Sequence, residues 1–246
     1  MAKAPQAEQL RLLDLQANDS KLNQLQRQAA VARANPELAE LAAQVATADS
    51  KLVAAATALG DAERDLKRAE DDVQAVVARL ERDEQRLNSG TGTSKDLTAL
   101  QSEVASLGRR RSDLEDIELE VMERVESARS AHQEAQQNTD SVRERLRELE
   151  RVRDEELARI DAERAGVQAA REELAGTFEP ALLGIYEKTL AKRGVGAARL
   201  FHGRSEGSGM QLSPGDLADI ARAAEDDIVF CPDSGCILVR SAEWEN

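Results

Sequence analysis

The sequence predicts a mainly α fold, a long kinked antiparallel coiled-coil hairpin carrying a small C-terminal α+β knob, and three observations predict it. Leu38, Val45, Leu52, Leu59, Leu66, Val73, Leu80 and Leu87 recur at every seventh position, and Leu100, Leu107, Leu114, Val121, Ala128, Ala135, Val142 and Leu149 do so again. Heptads kept over this many turns specify a coiled coil. Between the two runs lies Asn88-Ser-Gly-Thr-Gly-Thr-Ser-Lys-Asp96, which has two glycines and no large apolar side chain. Such a loop lets one arm fold back on the other. All the aromatic residues, Phe178, Tyr186, Phe201, Phe230 and Trp244, lie beyond the second arm, so a globular core is expected only there.

The first helix is expected from about Gln6 to Ala34, with Leu12, Leu15, Leu22 and Leu25 as a narrow apolar stripe. Asn35-Pro36 interrupts it, because proline lacks the amide donor and disfavours helix at the preceding residue. Proline is accepted in a first turn, so a second helix is expected from Pro36 to about Leu87 after a kink. One seam position of that helix is Leu or Val throughout. The other is Leu41, Ala48, Ala55, Ala62, Ala69 and Val76, where alanine lets two helix axes come close. The return helix is expected from Ser94, read as its N-cap, to about Leu174, with Gly176 as its stop. Folding about Gly92 sets Leu87 near Leu97, Leu80 near Val104 and Leu59 near Val125. Past the kink it sets Leu25 near Ile160 and Leu12 near Leu174. Arg111, Glu118, His132 and Thr139 fall in the return seam, and we read them as register-setting polar residues, not as ligands.

The boundaries expected are a hairpin over 1–176, with its tip loop at 88–96 and its kink at 35–36, and a separate domain over 177–246. In the latter, Glu179 to Arg193 reads as a short helix closed by Gly194, Val195 to His202 as a strand, and Met210 to Leu212 as a second strand. Ser213-Pro214 starts another helix, and Ile228–Phe230 and Ile237–Val239 flank a turn. Phe201, Met210, Leu212, Ile228, Phe230 and Ile237 are expected to be buried, packed on Leu182, Tyr186 and Leu190.

The net charge of -14 opposes unspecific attraction to polyanions such as nucleic acid or anionic lipid. No apolar run reaches the ~20 residues of a membrane span, and no signal-peptide pattern is seen, so a cytoplasmic protein is expected. The two cysteines, Cys231 and Cys236, make no disulfide framework. No nucleophile motif, phosphate loop or paired-carboxylate site stands out. Ser89-Gly-Thr-Gly-Thr lacks the Gly-Lys-Ser/Thr ending of a phosphate loop, and Asp226-Asp227 reads as a solvated charge run. An enzyme is not expected.

Ile228-Val-Phe-Cys-Pro-Asp-Ser-Gly-Cys-Ile-Leu-Val-Arg240 looks like the last knuckle of a four-cysteine zinc ribbon. With the heptads, the tip Ser89-Gly90 leading to Lys95-Asp-Leu-Thr-Ala-Leu-Gln101 and the Tyr186 helix, the chain resembles a bacterial family. That family joins a coiled-coil hairpin to a C-terminal four-cysteine zinc ribbon. The resemblance implies zinc ligands at Ser205, Ser208, Cys231 and Ser234, of which only Cys231 is a thiol, while Cys236 falls two residues beyond the fourth position. Serine is a poor zinc ligand, so the expectation is a degenerate ribbon with no cofactor and with zinc lost. A residual site of Cys231, Cys236 and His202 is the weaker alternative.

The function expected is that of a non-enzymatic scaffold, adaptor or chaperone-like protein. Its partner-binding tip is placed at Lys95, Asp96, Leu97, Leu100 and Gln101, and the knob is a second surface. The resemblance implies protein partners in transcription or secretion machinery. Nucleic acid is the alternative partner, disfavoured because residues 177–246 hold 7 Lys/Arg against 11 Asp/Glu. A self-associating rod is a third reading, and a monomer or weak homodimer is expected.

Overall fold

The computed structural model describes residues 3–241 and 244. Among them run α1 (Gln6–Arg33), α2 (Pro36–Asn88), α3 (Ser94–Ala175), α4 (Pro180–Arg193), β1 (Ala197–Phe201), β2 (Arg204–Ser205), α5 (Pro214–Arg222), β3 (Val229–Phe230) and β4 (Ile237–Arg240). No helix among the described residues is long and apolar enough to cross a membrane. By contacts the chain forms two compact units, one drawn from residues 36–151 and the other from 1–35 with 152–246.

The first unit is the antiparallel hairpin of α2 and α3. Arg79 pairs with Glu103 at 2.6 Å, Asp65 with Arg124 at 3.0 Å and Asp49 with Arg143 at 2.9 Å, a ladder that climbs one helix as it descends the other. The alanine seam is the deeper one: Leu41, Ala48, Ala62 and Ala69 are buried, while Leu52, Leu59, Leu66 and Val73 are half-buried flanks. A methyl at the seam leaves room for the backbones to approach, and the larger side chains then close over it from the side. Leu107, Leu114, Val121 and Val125 of α3 are buried as well. Of the polar seam residues, Thr139 is fully buried and donates its hydroxyl to the Ala135 carbonyl. His132 and Glu118 are half-buried and Arg111 is exposed, paired with Glu115 at 2.7 Å.

The second unit is built on a four-stranded sheet of order β2-β1-β4-β3, with β1 and β4 parallel and both outer pairs antiparallel. Period-2 alternation gives it two faces. Ala197, Ile237 and Val239 lie on one, against Leu12 and Leu15 of α1, Ala175 of α3, and Leu182 and Tyr186 of α4. Ala198, Leu200, Leu238 and Cys236 lie on the other, with Leu212, Ile220 of α5 and Trp244. The sheet is therefore held on the helices as expected from Leu182, Tyr186 and Leu190, and α1 belongs to the same core. Leu25 and Ile160, expected to meet, share a small cluster with Ala29, and Leu174 packs on the larger cluster that contains Leu12.

Three local expectations are corrected. Thr93, not Ser94, caps α3, because its hydroxyl accepts from the Asp96 amide at 3.3 Å. Met210–Leu212 is not a strand; Gln211 makes one isolated bridge to Arg204. Met210 and Phe230 are 57% and 47% exposed instead of buried. Phe230 faces the helical side from the edge strand β3, beyond the reach of the helices that cover Ile237 on the neighbouring strand.

Candidate functional site

Two places carry the residues singled out from the sequence. The first is the hairpin tip. Gly90 and Gly92 take φ values of 66° and 139°, which turn the chain where a side chain would be strained. α3 then opens with a reciprocal cap. The Thr93 amide and hydroxyl donate to Asp96 Oδ2 at 3.0 and 2.6 Å while Thr93 Oγ1 accepts from the Asp96 amide, the capping-box arrangement. These hydrogen bonds, the Thr93 hydroxyl first and its amide second, hold the Asp96 carboxyl below its usual range. The Asp96 side chain thus has a structural partner. Leu97 and Leu100 are half-buried, and Lys95 and Gln101 are exposed beside them.

The second place is the ribbon. Ser205, Ser208 and Ser234 gather about Cys231, and Cys236 joins them. Phe230 pairs with Ile237 across the β3–β4 hairpin, and the next rung sets Cys231 opposite Cys236, the Cys231 amide donating to the Cys236 carbonyl at 2.8 Å. Ser234 in the turn donates its hydroxyl to Cys236 Sγ at 3.1 Å and its amide to Cys231 Sγ at 3.5 Å. The Cys231 thiol reaches Ser208 Oγ at 4.0 Å. Ser205 Oγ is fully buried and makes no hydrogen bond of good geometry. It still lies close enough to Cys231 to favour the thiolate, so we read a loose O–H···S contact.

Burial pushes the Cys231 thiol up, but the Ser205 hydroxyl, the Ser234 amide and hydroxyl and the Asp233 amide outweigh it, and Cys231 ends below the ordinary thiol value. Burial pushes Cys236 up and neighbouring Cys231 adds to this, against the Ser234 hydroxyl. Structural zinc takes four thiolate or imidazole donors in a tetrahedron. Two thiols among three neutral hydroxyls do not fit that ion, and no group of three or more His, Cys, Asp or Glu side chains suited to a metal occurs among the described residues. His202, at φ 47°, stacks edge-on against Phe201, and neither thiol's hydrogen bonds involve it. Asp226 and Asp227 are engaged by Lys3 at 2.9 and 3.8 Å.

A buried polar network that the sequence did not announce positions the sheet. Asp19 of α1 accepts from the Tyr186 hydroxyl at 2.7 Å and from Arg171 Nε at 3.0 Å. Gln16 Oε1 receives the amides of Gly196 and Ala197 at 2.7 and 3.2 Å. Burial, then the Asp19 carboxylate, drives the Tyr186 phenol far above its ordinary value, so it stays a neutral donor. On the opposite side Arg240 is 7% exposed and donates to the carbonyls of Ala223, Ala224, Glu225 and Asp227 at 2.6–3.1 Å, closing the end of α5. One turn of a helix carrying Gln16 and Asp19 among leucines is the only local signal for any of this.

Residues 15–194 match the family described as the CT398-like coiled coil hairpin domain, and residues 204–238 match the C4-type zinc ribbon domain. An uncharacterized protein of Mycobacterium tuberculosis is 34% identical over 243 residues, covering 99% of each chain. One from Mycobacterium leprae is 29% identical over 197 residues, covering 77% of this chain and 82% of that one. A solved structure from Mycobacterium smegmatis shares 31% identity with a TM-score of 0.80, covering 97% of this chain and 100% of that one. CT398 from Chlamydia trachomatis, at 19% identity, a TM-score of 0.59 and coverage of 94% and 97%, shares the fold. The chain thus belongs to the CT398-like coiled-coil hairpin family, with a C-terminal region that matches the C4-type zinc ribbon domain.

Proposed function

We propose that the protein is a non-enzymatic adaptor that holds a protein partner at the hairpin tip, with the ribbon unit as a second surface. The family's coiled-coil hairpin and ribbon domains fit a structural or interaction protein. The observation that carries the tip reading is the Thr93–Asp96 capping box. It fixes the first turn of α3 with its own side chains and leaves Lys95 and Gln101 exposed at a defined place. A pre-organised surface loses less entropy on binding than a floppy loop. The ribbon on this reading carries no zinc and is held by burial on α1 and α4, which supplies the folding free energy that zinc gives other ribbons.

The test is a nuclease-treated pull-down from native lysate with the native chain and with Lys95→Ala/Gln101→Ala, which leaves the Asp96 cap intact. A protein retained by the native chain and lost by the variant supports the tip. Retention that disappears with nuclease, or is the same for both chains, refutes it. Zinc measured in the purified protein at one equivalent would overturn the reading of the ribbon.

A further inference from the structure

Cys231 and Cys236 occupy opposed positions on the two strands of one hairpin, so their side chains leave the same face. Both enter one buried cluster with Ala198, Leu200, Leu212 and Leu238, where Cys231 is 2% and Cys236 0% exposed. Both sulfurs are bonded by the same residue, Ser234, which brings them to one spot. What surrounds them is a set of hydrogen-bond donors: the Ser234 hydroxyl at 3.1 Å from Cys236, the Ser234 amide at 3.5 Å from Cys231, and the fully buried, otherwise orphaned Ser205 hydroxyl facing Cys231. Ser208 stands at 4.0 Å from Cys231. Hydroxyls are weak donors to a metal but good donors to sulfur, and they stabilise thiolate charge without completing a tetrahedron.

We propose that Cys231 and Cys236 form a two-coordinate site for a soft monovalent cation, cuprous copper. Two thiolates, with no third sulfur, imidazole or carboxylate grouped with them among the described residues, are the wrong set for zinc or for a hard divalent ion. They are the right set for copper(I), which is soft and content with two sulfurs. Access is short, because Gly207 covers Cys236 with backbone alone; a Cβ on it would sit 2.7 Å from Cys236 Sγ. On binding, two S–H bonds break and two S–Cu bonds form, both protons pass to solvent, and neither copper nor sulfur changes oxidation state.

The test uses the full chain, reduced and anaerobic, titrated with cuprous ion delivered from a colorimetric copper(I) chelator that competes for it. The native protein is expected to withdraw one equivalent from the chelator, with X-ray absorption showing two sulfur neighbours. Cys231→Ser and Cys236→Ser each are expected to lose at least about a hundredfold in affinity. Ser234→Ala, which keeps both thiols and removes a donor to the charged sulfur, is expected to lose about tenfold. Circular dichroism and Trp244 emission report whether each variant folds. A second measurement needs no variant: bound copper shields both thiols of the native protein from a maleimide, and equimolar zinc does not. The proposal is overturned by copper retention no greater than that of the Cys231→Ser/Cys236→Ser double variant, by displacement with equimolar zinc, by three or more sulfur or nitrogen neighbours, or by a Cys231–Cys236 disulfide that persists under these reducing conditions.

Discussion

Replacing Gly196 with alanine puts a methyl group into the ring of Tyr186. The added Cβ would lie 2.4 Å from Cε2, 2.7 Å from Cδ2 and 2.8 Å from Cζ, where ordinary contact begins at 3.4 Å. The ring has nowhere to retreat: Tyr186 is fully buried between Leu12, Leu15, Leu182 and the sheet, and its hydroxyl is tied to Asp19 at 2.7 Å. Overpacking of this kind costs ~1–3 kcal/mol. A ring displaced far enough to relieve it also stretches a hydrogen bond to a carboxylate, worth ~1.5–3 kcal/mol. The expected loss is therefore about 3–5 kcal/mol from the ribbon-bearing unit. Urea unfolding followed by Trp244 emission reports on that unit, since Trp244 packs on the far face of the same sheet; the midpoint should fall with little change in slope. Gly184→Ala in α4 is the control, because nothing lies within 4 Å of its added Cβ, and it should gain ~0.5–1 kcal/mol. In a Tyr186→Ala background the methyl enters vacated space, so Gly196→Ala should there cost less than about 1 kcal/mol, a coupling that a double-mutant cycle isolates. A Gly196→Ala chain as stable as the native one, or an equal cost in both backgrounds, would refute the reasoning.

Asp19→Ala removes the nearer acceptor of the Tyr186 hydroxyl, leaving Gln16 at 3.3 Å, and leaves Arg171, whose side chain is 17% exposed, with Glu187 at 3.4 Å alone; breaking such a pair should cost ~3 kcal/mol or more in the same unfolding assay. Arg240→Lys retains the charge but not the fork that reaches five carbonyls, so it should lose ~2–4 kcal/mol, and full stability in the lysine chain would show that charge alone suffices. Thr93→Val should fray the first turn of α3, detected as faster amide exchange at Ser94–Leu97, at a cost of ~0.5–2 kcal/mol. The Asp96 carboxyl is held below its unfolded-state value by Thr93. Its contribution is therefore present above ~3.9 and is lost as pH falls through the lower folded value; a carbon-detected NMR titration should place Asp96 below the ordinary range and Thr93→Val should return it there.

The apolar residues of the ribbon show where sequence reading stops. Ile228, Leu212 and Ile237 are buried as their identity suggests, yet Met210 and Phe230 are not. Hydrophobicity sets a preference for burial, and only the place a residue takes in the fold, an edge strand for Phe230 and a connection outside the strands for Met210, decides whether anything covers it. Ser205, Ser208 and Ser234, which the family resemblance singles out, lie about Cys231, whereas counting residues sets Cys236 apart. The hairpin returns it to the cluster by placing it opposite Cys231.

By itself the sequence determined the helices, their ends to within a few residues, the antiparallel seam and the glycine turn between the arms. These depend on a seven-residue period, on proline and on glycine, all of which act through neighbours along the chain. Tertiary structure alone decided that α1 shares a core with the sheet. The Asp19–Arg171 pair spans 152 positions and the Tyr186–Asp19 bond 167. A buried carboxylate is tolerable only once its distant partners arrive, so no local pattern announces one.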